Sequence, residues 1–89
     1  MDITQLRYFL ATADTLNYTK AAERLYMSRQ ALRQALASME EELGFPLFVN
    51  ERNKLSLTVQ GEYLQLSATK VVEAFENMLV DMGQFTQGQ

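Results

Sequence analysis

Arg29, Gln30, Arg33 and Gln34 repeat an arginine–glutamine pair at an interval of four residues, and on a helix that interval puts both pairs on one side. Guanidinium and amide groups are the side chains that read base edges bidentately in a major groove. Ser28 precedes them, placed to cap the helix through its hydroxyl and leave the helix N-terminus open to an anion. On an arbitrary helix the same four residues would be a solvated polar face, so their weight rests on what holds them.

The stretch from residue 17 to residue 39, NYTKAAERLYMSRQALRQALASM, reads as two short helices joined by a tight turn. Ala21, Ala22 and Leu25 share one face of the first; Leu32, Ala35, Leu36 and Met39 share one face of the second. The small alanines permit a close crossing, and Leu25, Met27, Leu32 and Leu36 fill the angle between the axes, which makes a helix-turn-helix. Asp2 can cap a helix before it, with Leu6, Phe9, Leu10 and Ala13 as its stripe, ending near Asp14 or Thr15. That helix closes a tri-helical core. Gln5 and Arg7 near its start can touch phosphate or simply be solvated.

Leu43 and Gly44 end the second helix of the pair, and Pro46 keeps it from resuming. Glu40, Glu41 and Glu42 fall at its carboxyl end, away from the proposed reading head, and read as a solvated acidic cluster. Leu47 to Val49 and the alternating Leu55, Ser56 and Leu57 form two short strands around a polar tip. Such a β-wing would bring Arg52 and Lys54 to a minor groove; an ordinary hairpin is the other reading. Thr58 then caps a last helix reaching about Asp81. Along it Leu64, Ala68, Val71, Phe75, Met78 and Met82 recur at spacings of four and three, a heptad seam about 27 Å long. Packing on the same helix of a second subunit would cover the seam and present two recognition helices to a palindromic site. Intramolecular packing is the alternative.

Composition narrows the classes. Eighty-nine residues make one small domain, able to bury about 60% of its unfolded surface and helped by a partner. Neither cysteine nor histidine is present, which removes thiolate metal ligands, disulfides, and the usual imidazole base. No catalytic site, metal or cofactor is expected. No apolar run approaches the roughly 20 residues of a membrane span, and the N-terminus lacks the pattern of a signal peptide, so a cytoplasmic location is expected. The net charge of −3 opposes nucleic-acid binding taken whole. Lys20, Arg24, Arg29 and Arg33 nevertheless outweigh Glu23 between residues 20 and 34, and screening beyond about 8 Å lets a local basic face meet phosphate.

The blocks AAERL at 21–25, ELGFPLF at 42–48, and Leu57, Thr58 and Gly61 together resemble the N-terminal DNA-binding domain of LysR-type transcriptional regulators, over nearly the whole chain. The resemblance implies a mainly α fold: a winged helix-turn-helix of three helices and a two-stranded β-wing over residues 1–58, a linker and dimerisation helix over 59–83, and a flexible tail over 84–89. It implies a homodimer on a dyad-symmetric promoter site in duplex DNA, in the bacterial cytoplasm at the nucleoid. Arg29, Gln30, Arg33 and Gln34 match base-reading positions, and Thr19, Lys20 and Ser28 match positions near backbone phosphates. Arg29 and Gln30 replace the common Gln-Pro or Gln-Ser, and Arg33 a common serine, which points to guanine contacts. Asn50 stands where arginine is usual, and Arg52 is the residue that can take over. The effector-binding domain that normally follows is absent from these residues, so a small-molecule effector is expected only through it. The competing class is a winged-helix module that dimerises and binds protein but not DNA.

Overall fold

Each helix starts at a side chain that accepts the backbone N–H three residues on. In the computed structural model, which describes residues 1–87, Asp2 caps α1 (Ile3–Thr15) by accepting from Gln5 at 2.8 Å. Asn17 caps α2 (Tyr18–Arg24) through Lys20 at 2.9 Å. Ser28 caps α3 (Arg29–Leu43) through Ala31 at 3.0 Å. Thr58 opens α4 (Val59–Gln87) by accepting from Gly61 at 3.0 Å. Each bond satisfies one of the donors that a helix start leaves unpaired. Asn17 is the one of these caps that the sequence pattern did not disclose.

The helix-turn-helix is set by close backbone approach. Ala21 and Ala22 are buried where α2 meets its neighbours, and Phe9, Leu32, Met39 and Leu47 are fully buried around them. The turn places Tyr26 in the left-handed region at φ 56°, and Met27 N–H returns to the carbonyl of Ala22 at 3.0 Å. Gly44, at φ 89°, ends α3 with its N–H on the Glu40 carbonyl at 2.8 Å, the expected glycine stop.

Strands β1 (Phe48–Glu51) and β2 (Lys54–Leu57) pair antiparallel, from Phe48 opposite Leu57 to Glu51 opposite Lys54. Only Arg52 and Asn53 remain as the loop, both at positive φ, the pattern of a two-residue type I′ hairpin. The polar tip is thus shorter than the five residues read from sequence, because Asn50, Glu51 and Lys54 belong to the ladder. Phe48 anchors the wing, its ring 5.5 Å from that of Phe9.

Helix α4 spans 29 residues, about 43 Å at 1.5 Å per residue, and gives the molecule its 57 Å long dimension. It continues through residues 84–87, where a flexible tail was expected; residues 88 and 89 lie outside the described residues. The seam divides in two. Ala68 is buried and Leu64 packs on the core, so both serve the chain's own fold rather than lying open to a partner. Phe75 is half-buried beneath Arg7, whose guanidinium carbon is 6.0 Å from the ring centroid. Val71, Met78, Leu79 and Met82 are exposed. Among the described residues no helix is long and apolar enough to cross a membrane.

Candidate nucleic-acid interface

Arg29, Gln30, Arg33 and Gln34 are all exposed and line one open groove of about 760 Å³ along α3. The opposite face of the helix carries Leu32, Leu36 and Met39 into the core. Burial of that face fixes the rotation of α3, and the rotation places the two arginine–glutamine pairs outward. At the helix start beside them, exposed Ser28 accepts the Ala31 N–H at 3.0 Å, at the end of α3 where the helix dipole is positive.

The rest of this groove is lined by Leu36 and Ala37 of the same helix and by Tyr18, Glu40 and Phe48. Arg33 lies over the Tyr18 ring, its guanidinium carbon 4.8 Å from the centroid, at cation–π distance. Tyr18 in turn meets Phe48 edge-on at 6.4 Å. Burial pushes the Tyr18 phenol above its ordinary value; the Arg33 charge works against that rise and the Glu40 carboxylate adds to it. The sequence pattern gives no sign of this contact, because one between the first residue of one helix and the second turn of another has no periodicity.

Glu40 departs from its expected place. Instead of sitting solvated and far from the groove, its Oε2 accepts the backbone N–H of Leu47 at 2.6 Å and of Phe48 at 3.2 Å. Three other charges are also committed within the chain. Arg24, counted in the basic face, pairs with Asp14 at 2.7 Å. Arg7, weighed as a phosphate contact, pairs with Glu76 at 2.9 Å and ties α1 to α4. Glu42 receives the N-terminal ammonium at 2.8 Å. The basic groups left on the face are Lys20, Arg29 and Arg33.

A second, smaller cleft of about 200 Å³ separates the helix-turn-helix from the wing, lined by Asn17, Thr19, Arg29, Asn50 and Asn53 among others. Thr19 and Arg29 both line it. Asn50 stands in its wall; Arg52 at the hairpin tip, Lys54 on β2 and Lys20 on α2 are exposed and line neither cleft. The sequence missed Asn17, Asn50 and Asn53 as neighbours; asparagine in a positive-φ loop position was the available signal for the last.

A family model described as bacterial regulatory helix-turn-helix protein, lysR family, matches residues 3–62. The Hca operon transcriptional activator HcaR of Escherichia coli K12 is 39% identical over 77 residues, 86% of this chain and 26% of that protein. The HTH-type transcriptional regulator CatR of Pseudomonas putida is 35% identical over 89 residues, 100% of this chain and 30% of that protein. This chain therefore spans between a quarter and a third of the length of these curated relatives. Among solved structures, the crystal structure of the BenM_DBD/catB site 1 DNA complex superposes with a TM-score of 0.95 at 27% identity, covering 100% of both chains.

Proposed function

This chain belongs to the lysR family of bacterial regulatory helix-turn-helix proteins, and from that premise we propose that it binds duplex DNA sequence-specifically, with α3 in the major groove and the wing at the adjacent minor groove. The observation that carries the reading is the open ridge of Arg29, Gln30, Arg33 and Gln34, exposed side by side on the outward face of a helix whose other face is locked in the core. The DNA in the superposable BenM complex supports it. Arg29 and Arg33 are the groups that hydrogen-bond guanine edges, and Gln30 and Gln34 add amide contacts. Thr19, Lys20 and Ser28 approach phosphates from the helix-turn-helix, Arg52 and Lys54 from the wing. The chain is not an enzyme: the relatives it matches are transcriptional regulators.

Two copies act together in this proposal. Val71, Met78 and Met82 leave an apolar strip on α4 that its own core does not cover, and pairing through it would set two recognition helices on one side of a dyad-symmetric site. Its site of action in this reading is the bacterial cytoplasm at the nucleoid, and membership of a bacterial regulatory helix-turn-helix family supports the cytoplasmic part. No effector site is assigned to these residues.

Titration of a mixed-sequence duplex at several salt concentrations tests the phosphate component. Affinity should fall linearly on logarithmic axes, and Lys20→Ala or Arg52→Ala should make the slope shallower by about one. Binding that ignores salt, or no binding at low salt, contradicts the proposal.

A further inference from the structure

We propose that Tyr18 is a positioning residue for Arg33, aiming its guanidinium at the base edge it reads; the inference rests on the DNA-binding reading above. Rings Phe9, Phe48 and Tyr18 form a continuous chain of contacts from the fully buried core to the exposed ridge, at 5.5 Å and 6.4 Å between centroids. Arg33 is the next member, 4.8 Å above the last ring. The core therefore extends, through aromatic contacts alone, to a side chain that stands in solvent.

Two features make this contact directing rather than merely adjacent. A cation held against the face of a ring uses none of its N–H groups, so the donors of the guanidinium stay available for a bidentate base contact. The carboxylate that would compete for them, Glu40 in the same groove, is turned to the Leu47 and Phe48 amides. Among the described residues Arg33 has no ion-pair partner. An arginine without such a platform would order its long stem only on binding, and that lost freedom weakens discrimination between bases. Arg29, which shares the ridge, has no ring beneath it among the described residues, so the two arginines should differ in how sharply they specify.

Selection of bound sequences from a random duplex pool, at one salt concentration, for wild type, Arg33→Ala, Tyr18→Phe and Tyr18→Leu tests the proposal. The base pair at which Arg33→Ala loses preference identifies the contact. Tyr18→Phe, which keeps the ring, should retain that preference; Tyr18→Leu should lower it about three- to tenfold at that base pair alone, with mixed-sequence affinity within about twofold. Unchanged preference in a folded Tyr18→Leu protein, or equal loss at every position, overturns the inference. Absence of any enriched sequence for wild type overturns the DNA reading and this inference with it. A readout on the unaltered protein stands beside these: ring-current shifts should move the Arg33 side-chain protons upfield in the free chain, and protons at unshifted positions would overturn the contact without any variant.

Discussion

The Glu40 carboxylate accepts the backbone N–H of Leu47 at 2.6 Å, and the same oxygen takes the Phe48 N–H at 3.2 Å. This links the last turn of α3 to the first residue of the wing, so the two elements are tied by side-chain hydrogen bonds as well as by the chain through Gly44 and Pro46. Glu40→Ala leaves two part-buried donors without their acceptor and should cost about 1–3 kcal/mol in urea unfolding. Glu40→Gln keeps an acceptor oxygen and should recover part of it.

Gly61 and Gly83 lie on the same helix and should respond oppositely to alanine. A Cβ at Gly61 would fall inside contact distance of the Leu47 carbonyl oxygen, which is backbone and cannot yield, with the Leu57 side chain also close. Gly61→Ala should destabilise by about 1–3 kcal/mol as α4 is pushed from the wing. At Gly83 a Cβ meets nothing within 4 Å, and Gly83→Ala should stabilise by about 0.5–1 kcal/mol through the lost chain entropy of glycine. Paired thermal melts check both signs.

Alkaline pH should loosen the Tyr18 platform. Burial raises the folded-state pKa of this phenol above 10.0, so the folded protein holds the proton more tightly than the unfolded chain. Its contribution is complete below pH 10 and is lost as pH climbs from there through the folded pKa. Unfolding free energy measured between pH 8 and 11.5 should decline over the upper part of that range, and Tyr18→Phe should decline less steeply.

The exposed strip of α4 gives a separable test of pairing. Phe75 is half-buried under Arg7 and Ala68 is buried, so charge at either would damage the chain's own packing. Met78 is exposed, and Met78→Asp should leave helix content intact while converting a sedimenting dimer to a monomer. The monomer should bind its site far more weakly, because the second half-site contact is no longer intramolecular. A Met78→Asp protein that still sediments as a dimer would refute the strip as the interface.

Most of the architecture was legible because it follows from local rules: the caps at Asp2, Ser28 and Thr58, the apolar spacing of Leu32, Leu36 and Met39, and the glycine stop at Gly44 each act within a few residues. The outward placement of Arg29 and Arg33 follows from that same spacing. What stayed hidden depends on pairs distant in sequence. Glu40 reads as one more solvated acid until Leu47 is folded back on it, and Arg7 as a free cation until Glu76 arrives from α4. The seam is regular from Leu64 to Met82, yet the core takes Leu64 and Ala68; a heptad pattern records that residues are covered and not by which chain. Arg33 on Tyr18 is of the same kind, invisible until α2 and α3 cross.

The central claim is that the Arg29 to Gln34 ridge reads DNA as a symmetric pair. Selection of sequences from a random duplex pool by the wild-type protein, at stated salt, measures this most directly. The account predicts an enriched site of two inverted half-sites, each containing guanine at a position where Arg33→Ala alone relaxes the preference by about 1–3 kcal/mol. An enriched site without dyad symmetry, or one indifferent to Arg29→Ala and Arg33→Ala, would contradict it.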